Sequence, residues 1–184
     1  MPESASTLLA SWSNYYVITG SSAAALTGLM FVVITLIADT ERLRNSPDGV
    51  GTFSSPTVVH FCGALLISAI LAAPWRSLVH PSALLALVGI AGVAYGLRVA
   101  FRMRRTANYL PDLDDWAWYA IFPVIAYVIV LLSALCLTTW PVEALFGFAG
   151  ANIFLVFIGI RNAWDVVTYI AIGMPQHKSD KPSE

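Results

Sequence analysis

Six polar side chains stand out by where they fall in an otherwise apolar chain: Asp39, His60, Arg98, Arg161, Asn162 and Asp165. Charge at bilayer depth is costly, so each is a functional candidate by default. An imidazole at that depth has three chemistries open to it: a hydrogen-bonded core group, a proton relay, or an axial ligand to haem or a pigment. His60 shares a helical face with Ala64 and Ser68, and the core reading is the plainest of the three. The other histidines, His80 and His177, fall in a loop and in the C-terminal tail. A bis-histidine haem site within one subunit is therefore not expected, and no cofactor is predicted. Arg161 and Asp165 stand four apart, a spacing that brings carboxylate to guanidinium along one helix face, with Tyr169 next on the stripe. Gly147, Gly150 and Phe154 project the same way, so this face is expected to point inward. It is read either as a lock between two charges or as the polar lining of a pathway. Arg98 points away from the glycine face of its own helix, as a side chain snorkelling to headgroups does.

Other chemistry is missing. The chain has no HExxH, no GxSxG, no phosphate loop and no Cys/His cluster. Asp112, Asp114 and Asp115 read as a solvated helix start, where carboxylates favour the positive end of the helix dipole. Cys62 and Cys136 sit in separate apolar runs and are expected at opposite membrane faces, so no disulfide joins them. No catalytic residue and no metal site is predicted, and an enzyme is not expected.

The elements that position these residues are hydrophobic helices. Of 184 residues, 58% are apolar and 11% charged, against roughly 25% charged in a soluble domain. The mean hydropathy is +0.72. Such a chain is too apolar for a water-facing surface, and its net charge of −1 points to no nucleic-acid partner. Five runs are long enough to cross: about 17–38, 57–75, 81–101, 116–138 and 143–164, the last with a helical extension to 172. The first covers roughly 33 Å as a helix, and no Lys or Arg precedes it, so it is read as a retained span rather than a signal peptide. Pro123 is expected to bend the fourth. Residues 1–16 read as a short N-terminal segment, 17–173 as one five-helix transmembrane domain and 174–184 as a flexible polar tail. The predicted fold class is all-α, a polytopic membrane helical bundle.

Charge sets the predicted orientation. With five spans, Arg76 is the one basic residue on the side of the N-terminus and the 75–80 and 139–142 loops. Arg42, Arg44, Arg102, Arg104, Arg105, Lys178 and Lys181 gather on the other. By the positive-inside rule the N-terminus faces out and the C-terminus lies in the cytoplasm, in the inner (plasma) membrane. All six polar candidates then fall in the cytoplasmic half and are expected to converge.

Small residues mark close helix packing where lipid removes the hydrophobic drive to associate. Gly20, Ala24 and Gly28 recur every four residues in the first span, and Gly89, Gly92 and Gly96 line the third. These faces are read as packing within one subunit, with a subunit–subunit seam as the alternative.

The stretch NYYVITGSSAAALTGLMFVVITL resembles the opening of a set of uncharacterised bacterial multi-span integral membrane proteins. Those begin with an aromatic pair, a Gly/Ala-rich turn and an ALTGL-then-FV segment, matched here by Tyr15, Tyr16, Gly20, Ala25, Leu26, Thr27, Gly28, Leu29, Phe31 and Val32. The resemblance implies a bacterial multi-span origin and no particular activity or site. The expected function is a homo-oligomeric pore or transport protein with a polar site in the cytoplasmic half. The alternatives are a non-catalytic accessory or assembly subunit of a larger membrane complex, and a haem- or pigment-binding protein using His60.

Overall fold

The computed structural model describes residues 5–38, 47–105 and 113–172. All its elements are helical: α1 (Ala5–Ala38), α2 (Pro47–Ala72), α3 (Val79–Arg105), α4 (Leu113–Cys136) and α5 (Pro141–Ile172). Four of them, α1, α3, α4 and α5, are long and apolar enough to cross a membrane, and α2 adds a shorter apolar stretch, Pro56–Ala72. Large apolar side chains cover the outside of the molecule, among them Leu29, Phe31, Leu87, Phe101, Leu132, Leu135, Phe146 and Phe157. An apolar surface this extensive is what lipid, not water, solvates. The fold is a polytopic membrane helical bundle.

Helices α1 and α2 pack together along their length, and so do α3 and α4. The last helix, α5, lies against both α2 and α4, and a lighter contact between α2 and α3 closes a four-helix ring. The core residues repeat in sevens. One buried series on α1 is Leu9, Tyr16, Ala23 and Met30; on α2, Thr57, Ala64 and Leu71; on α4 and the residue that caps it, Pro123, Val130 and Leu137. A seven-residue repeat keeps a contact seam facing its partner along a slightly supercoiled pair.

Two helices begin earlier than their apolar runs. Leu8 and Leu9 are buried, the Trp12 ring meets Phe146 edge-on at 4.7 Å, and the Tyr15 and Tyr16 hydroxyls donate to the Ala149 and Leu145 carbonyls of α5 at 2.7 and 3.1 Å. These contacts carry α1 back to Ala5, where apolarity alone placed a separate N-terminal segment. Helix α2 likewise starts at Pro47 and runs through Pro56, within what the sequence suggested was a loop.

Just before Pro123, where the sequence led us to expect a bend, α4 passes through a π-turn over Ala117–Ile121. Phe122 N–H donates to the Ala117 carbonyl, five residues back, instead of to Trp118. Proline has no N–H to offer in its place. The Trp118 carbonyl is thus left without its ordinary backbone donor.

Candidate functional site

The buried polar groups fall into three places. The first joins three helices. Asn152 of α5 is fully buried, and its Nδ2 donates to Thr19 Oγ1 of α1 at 3.1 Å and to Ser68 Oγ of α2 at 2.8 Å. The two hydroxyls are 3.2 Å apart. Gly20 allows the approach, since a Cβ there would stand 2.8 Å from Ser68 Cβ.

The second surrounds His60, which is 1% exposed. Its Nδ1 lies 3.4 Å from the Tyr127 hydroxyl of α4, and its ring meets Tyr95 of α3 edge-on at 6.4 Å between centroids. Two glycines make room for Tyr127. A Cβ on Gly63 would lie 2.6 Å from the phenol oxygen, and one on Gly92 would overlap the ring itself. Thr57, on the same face of α2 one turn before His60, is fully buried as well. Thr57 Oγ1 and His60 Nε2 have no hydrogen-bond partner among the described residues. The Tyr127 and Tyr95 rings both lie near the imidazole, with centroids 5.9 and 6.4 Å from its own.

The third lies at the Leu113 end of α4. Asn162 of α5 is fully buried, and its Nδ2 donates to the Trp118 carbonyl at 3.4 Å. That is the carbonyl which the π-turn and Pro123 strip of its backbone donor. Arg161 pairs with Asp165 one turn along α5 and lies over the Trp118 ring at 5.8 Å.

The six polar candidates therefore do not converge on one site. His60 and Asn162 are buried and bond to different parts of α4. Arg161 and Asp165 pair with each other but sit at the bundle's edge, 37% and 35% exposed, and it is Asn162 that faces inward. The reason is register: on α5 the inward seam runs through Leu145, Phe148, Asn152, Leu155, Gly159 and Asn162, one position off the Arg161 stripe. Gly150, assigned to that stripe, is exposed and meets nothing. Arg98 is exposed on the outward face of α3 and does not join the buried groups. Asp39 lies outside the described residues.

The glycine faces divide too. Gly89, Gly92 and Gly96 all pack on α4, at Leu131, Tyr127 and Val124, and a Cβ on Gly89 would lie 2.9 Å from the Leu131 backbone. On α1 only Gly20 is used. Ala24 and Gly28 are exposed, and Gly28 has open space around it. A four-residue stripe rotates by about 40° per step around a helix of 3.6 residues per turn, so it leaves the α2 contact that the seven-residue repeat follows.

Asn152, Thr19, Thr57, Tyr95 and Tyr127 were not anticipated. All of these are uncharged and stand apart from any charged neighbour in sequence, unlike Asn162 beside Arg161. The available signal was an amide within an apolar run, which in lipid needs a partner as surely as a charge does. The fold and its buried polar groups define an integral membrane protein of the helical-bundle class. Compared with protein families, curated proteins and solved structures, the chain matches none.

Proposed function

We propose that the protein is a small bacterial transport or pore protein of the inner membrane, working as a homo-oligomer, with its polar site in the cytoplasmic half of the bilayer. The orientation rests on the uneven distribution of Arg and Lys between the two sets of loops. The observation that carries the reading is the polar interior of a molecule whose outside is apolar. Thr57 Oγ1, His60 Nε2 and Asn162 Oδ1, toward the helix ends that this orientation puts on the cytoplasmic side, are buried with hydrogen-bonding capacity to spare. Leaving such an atom unpaired in a packed interior costs about 1–3 kcal/mol, a cost that a passing ion or polar solute would relieve. The test is permeability of vesicles holding the purified full chain, loaded in turn with protons, K+, Na+, chloride, glycerol and urea. Flux of at least one above that of empty vesicles is expected; flux of none overturns the reading.

An accessory-subunit role is the second reading, favoured by the exposed Ala24 and Gly28 on α1, where other outward faces carry Leu, Ile and Phe. Native mass spectrometry of the protein extracted from its own membrane separates the two. A homo-oligomer supports transport, and a stoichiometric complex with a different membrane protein supports the accessory role.

A further inference from the structure

We propose that the species carried is the proton, and that His60 and Tyr127 relay it. The inference rests on the transport reading and adds its substrate and route.

The imidazole stands between two polar environments of unlike character. Nδ1 faces the Tyr127 hydroxyl at 3.4 Å, while Nε2 is buried and unpartnered. Thr57, three residues earlier on the same face of α2 and so about 4.5 Å along the helix, brings a second unpartnered polar atom. The titratable groups facing the ring are phenols, Tyr127 from α4 and Tyr95 from α3, with ring centroids 5.9 and 6.4 Å away. From α5, Gly159 packs on the neighbouring Phe61, Asn162 is neutral, and the charges of Arg161 and Asp165 cancel each other. Among the described residues no fixed charge is placed to hold the imidazole permanently protonated, which is the condition for a group that must take up a proton and then lose it.

The site is also built at a cost in packing. Gly92 makes room for the ring of Tyr127, as it would for a phenylalanine, and Gly63 makes room for the hydroxyl. The phenol needs Gly63 on α2 and Gly92 on α3 to give up their side-chain volume. Two helices are cut back so that one hydroxyl reaches His60 at membrane depth.

The step balances as follows. A proton adds to the Nε2 lone pair of the neutral ring whose Nδ1–H points at Tyr127, giving imidazolium. The Nδ1 proton then passes to the Tyr127 oxygen as the hydroxyl's own proton leaves to water, and the ring is left neutral with its hydrogen on Nε2. Rotation of the ring then turns its N–H back toward Tyr127 and its bare nitrogen back to the entry side, so that each cycle moves one proton. No bond other than N–H and O–H changes, and nothing is oxidised or reduced.

The test uses vesicles of phosphatidylethanolamine and phosphatidylglycerol containing the full chain, with a potassium diffusion potential driving proton entry and a trapped pH dye reading it. Wild type is expected to pass protons faster than empty vesicles. His60→Gln removes the titrating group, and Tyr127→Phe removes one oxygen while keeping the ring that fills the glycine notch. Each is expected to lower proton flux on the order of a hundredfold, the low end of what a positioned acid–base group supplies. The melting temperature of Tyr127→Phe is expected to stay close to wild type, which separates a lost relay from a lost fold. Proton flux unchanged in both variants overturns the relay. Flux of another tested solute with no proton flux overturns the proton while leaving transport standing. No flux of any solute overturns both.

Discussion

Asn162 offers the sharpest test of the structure because its partner is a carbonyl that another residue orphaned. Pro123 withholds an N–H, the π-turn diverts the N–H of Phe122 to Ala117, and Asn162 Nδ2 donates to Trp118 in their place. Asn162→Leu removes the donor at similar volume. An unsatisfied buried carbonyl costs about 1–3 kcal/mol, while side-chain bonds between membrane helices average about 0.6 kcal/mol with a maximum near 1.7. The contact is long, at 3.4 Å, so a loss of about 1 kcal/mol is expected, close to a factor of five in the unfolding constant. Pro123→Ala restores an N–H to α4, lets the π-turn relax to α-helix and returns to Trp118 its own donor. In that background Asn162→Leu is expected to cost about half as much or less. The assay is reversible unfolding in mixed detergent micelles across the four members of the double-mutant cycle. Equal losses from Asn162→Leu with and without Pro123 would refute the reasoning and leave Asn162 as an ordinary packed amide.

Gly89→Ala sets a Cβ against the Leu131 backbone, which cannot swing aside as a side chain can, so a loss of about 1–3 kcal/mol is expected there; Gly28→Ala, with nothing nearby, is expected to leave the melting temperature of the monomer unchanged. Because Arg161 and Asp165 are each more than a third exposed, their double-mutant coupling is expected near 0.3–0.5 kcal/mol, as for surface pairs four apart on a helix, and a coupling above 2 kcal/mol would mean that the pair is enclosed. A single cysteine at Ser77 is expected to react with an impermeant thiol reagent in intact cells while one at Ala107 is protected; the reverse pattern would invert the orientation.

The number of helices and their apolar outside were legible because both follow from composition and run length. Helix ends were less so. The start of α1 depends on Trp12, Tyr15 and Tyr16 finding α5 more than a hundred residues away, and no local pattern announces that. A break in the regular helix was readable at Pro123, but not that it would be a π-turn or that a second helix would supply the missing donor. Of the polar candidates, His60 and Asn162 were found on their chemistry. Arg161 was preferred over Asn162 for its charge, whereas the register of the core seam, which places Asn162 inside, depends on where Leu145, Phe148, Asn152 and Leu155 pack. Tyr127 was passed over because an aromatic residue in a hydrophobic run reads as ordinary core until the glycines opposite it are known.

The chain order of the helices has a bearing on how the protein is made. Helices α1 and α2 are neighbours in sequence and in space, and so are α3 and α4, so each pair can form as soon as it is synthesised. The final helix has to join them. It carries one asparagine for each pair: Asn152 for the Thr19 and Ser68 hydroxyls, and Asn162 for the Trp118 carbonyl. Ribosomes that stall before Pro141 would leave two hairpins in the lipid, with the Tyr15 and Tyr16 hydroxyls and the Trp118 carbonyl without the partners that α5 brings. Those groups give a membrane quality-control protease a way to tell an unfinished chain from a finished one.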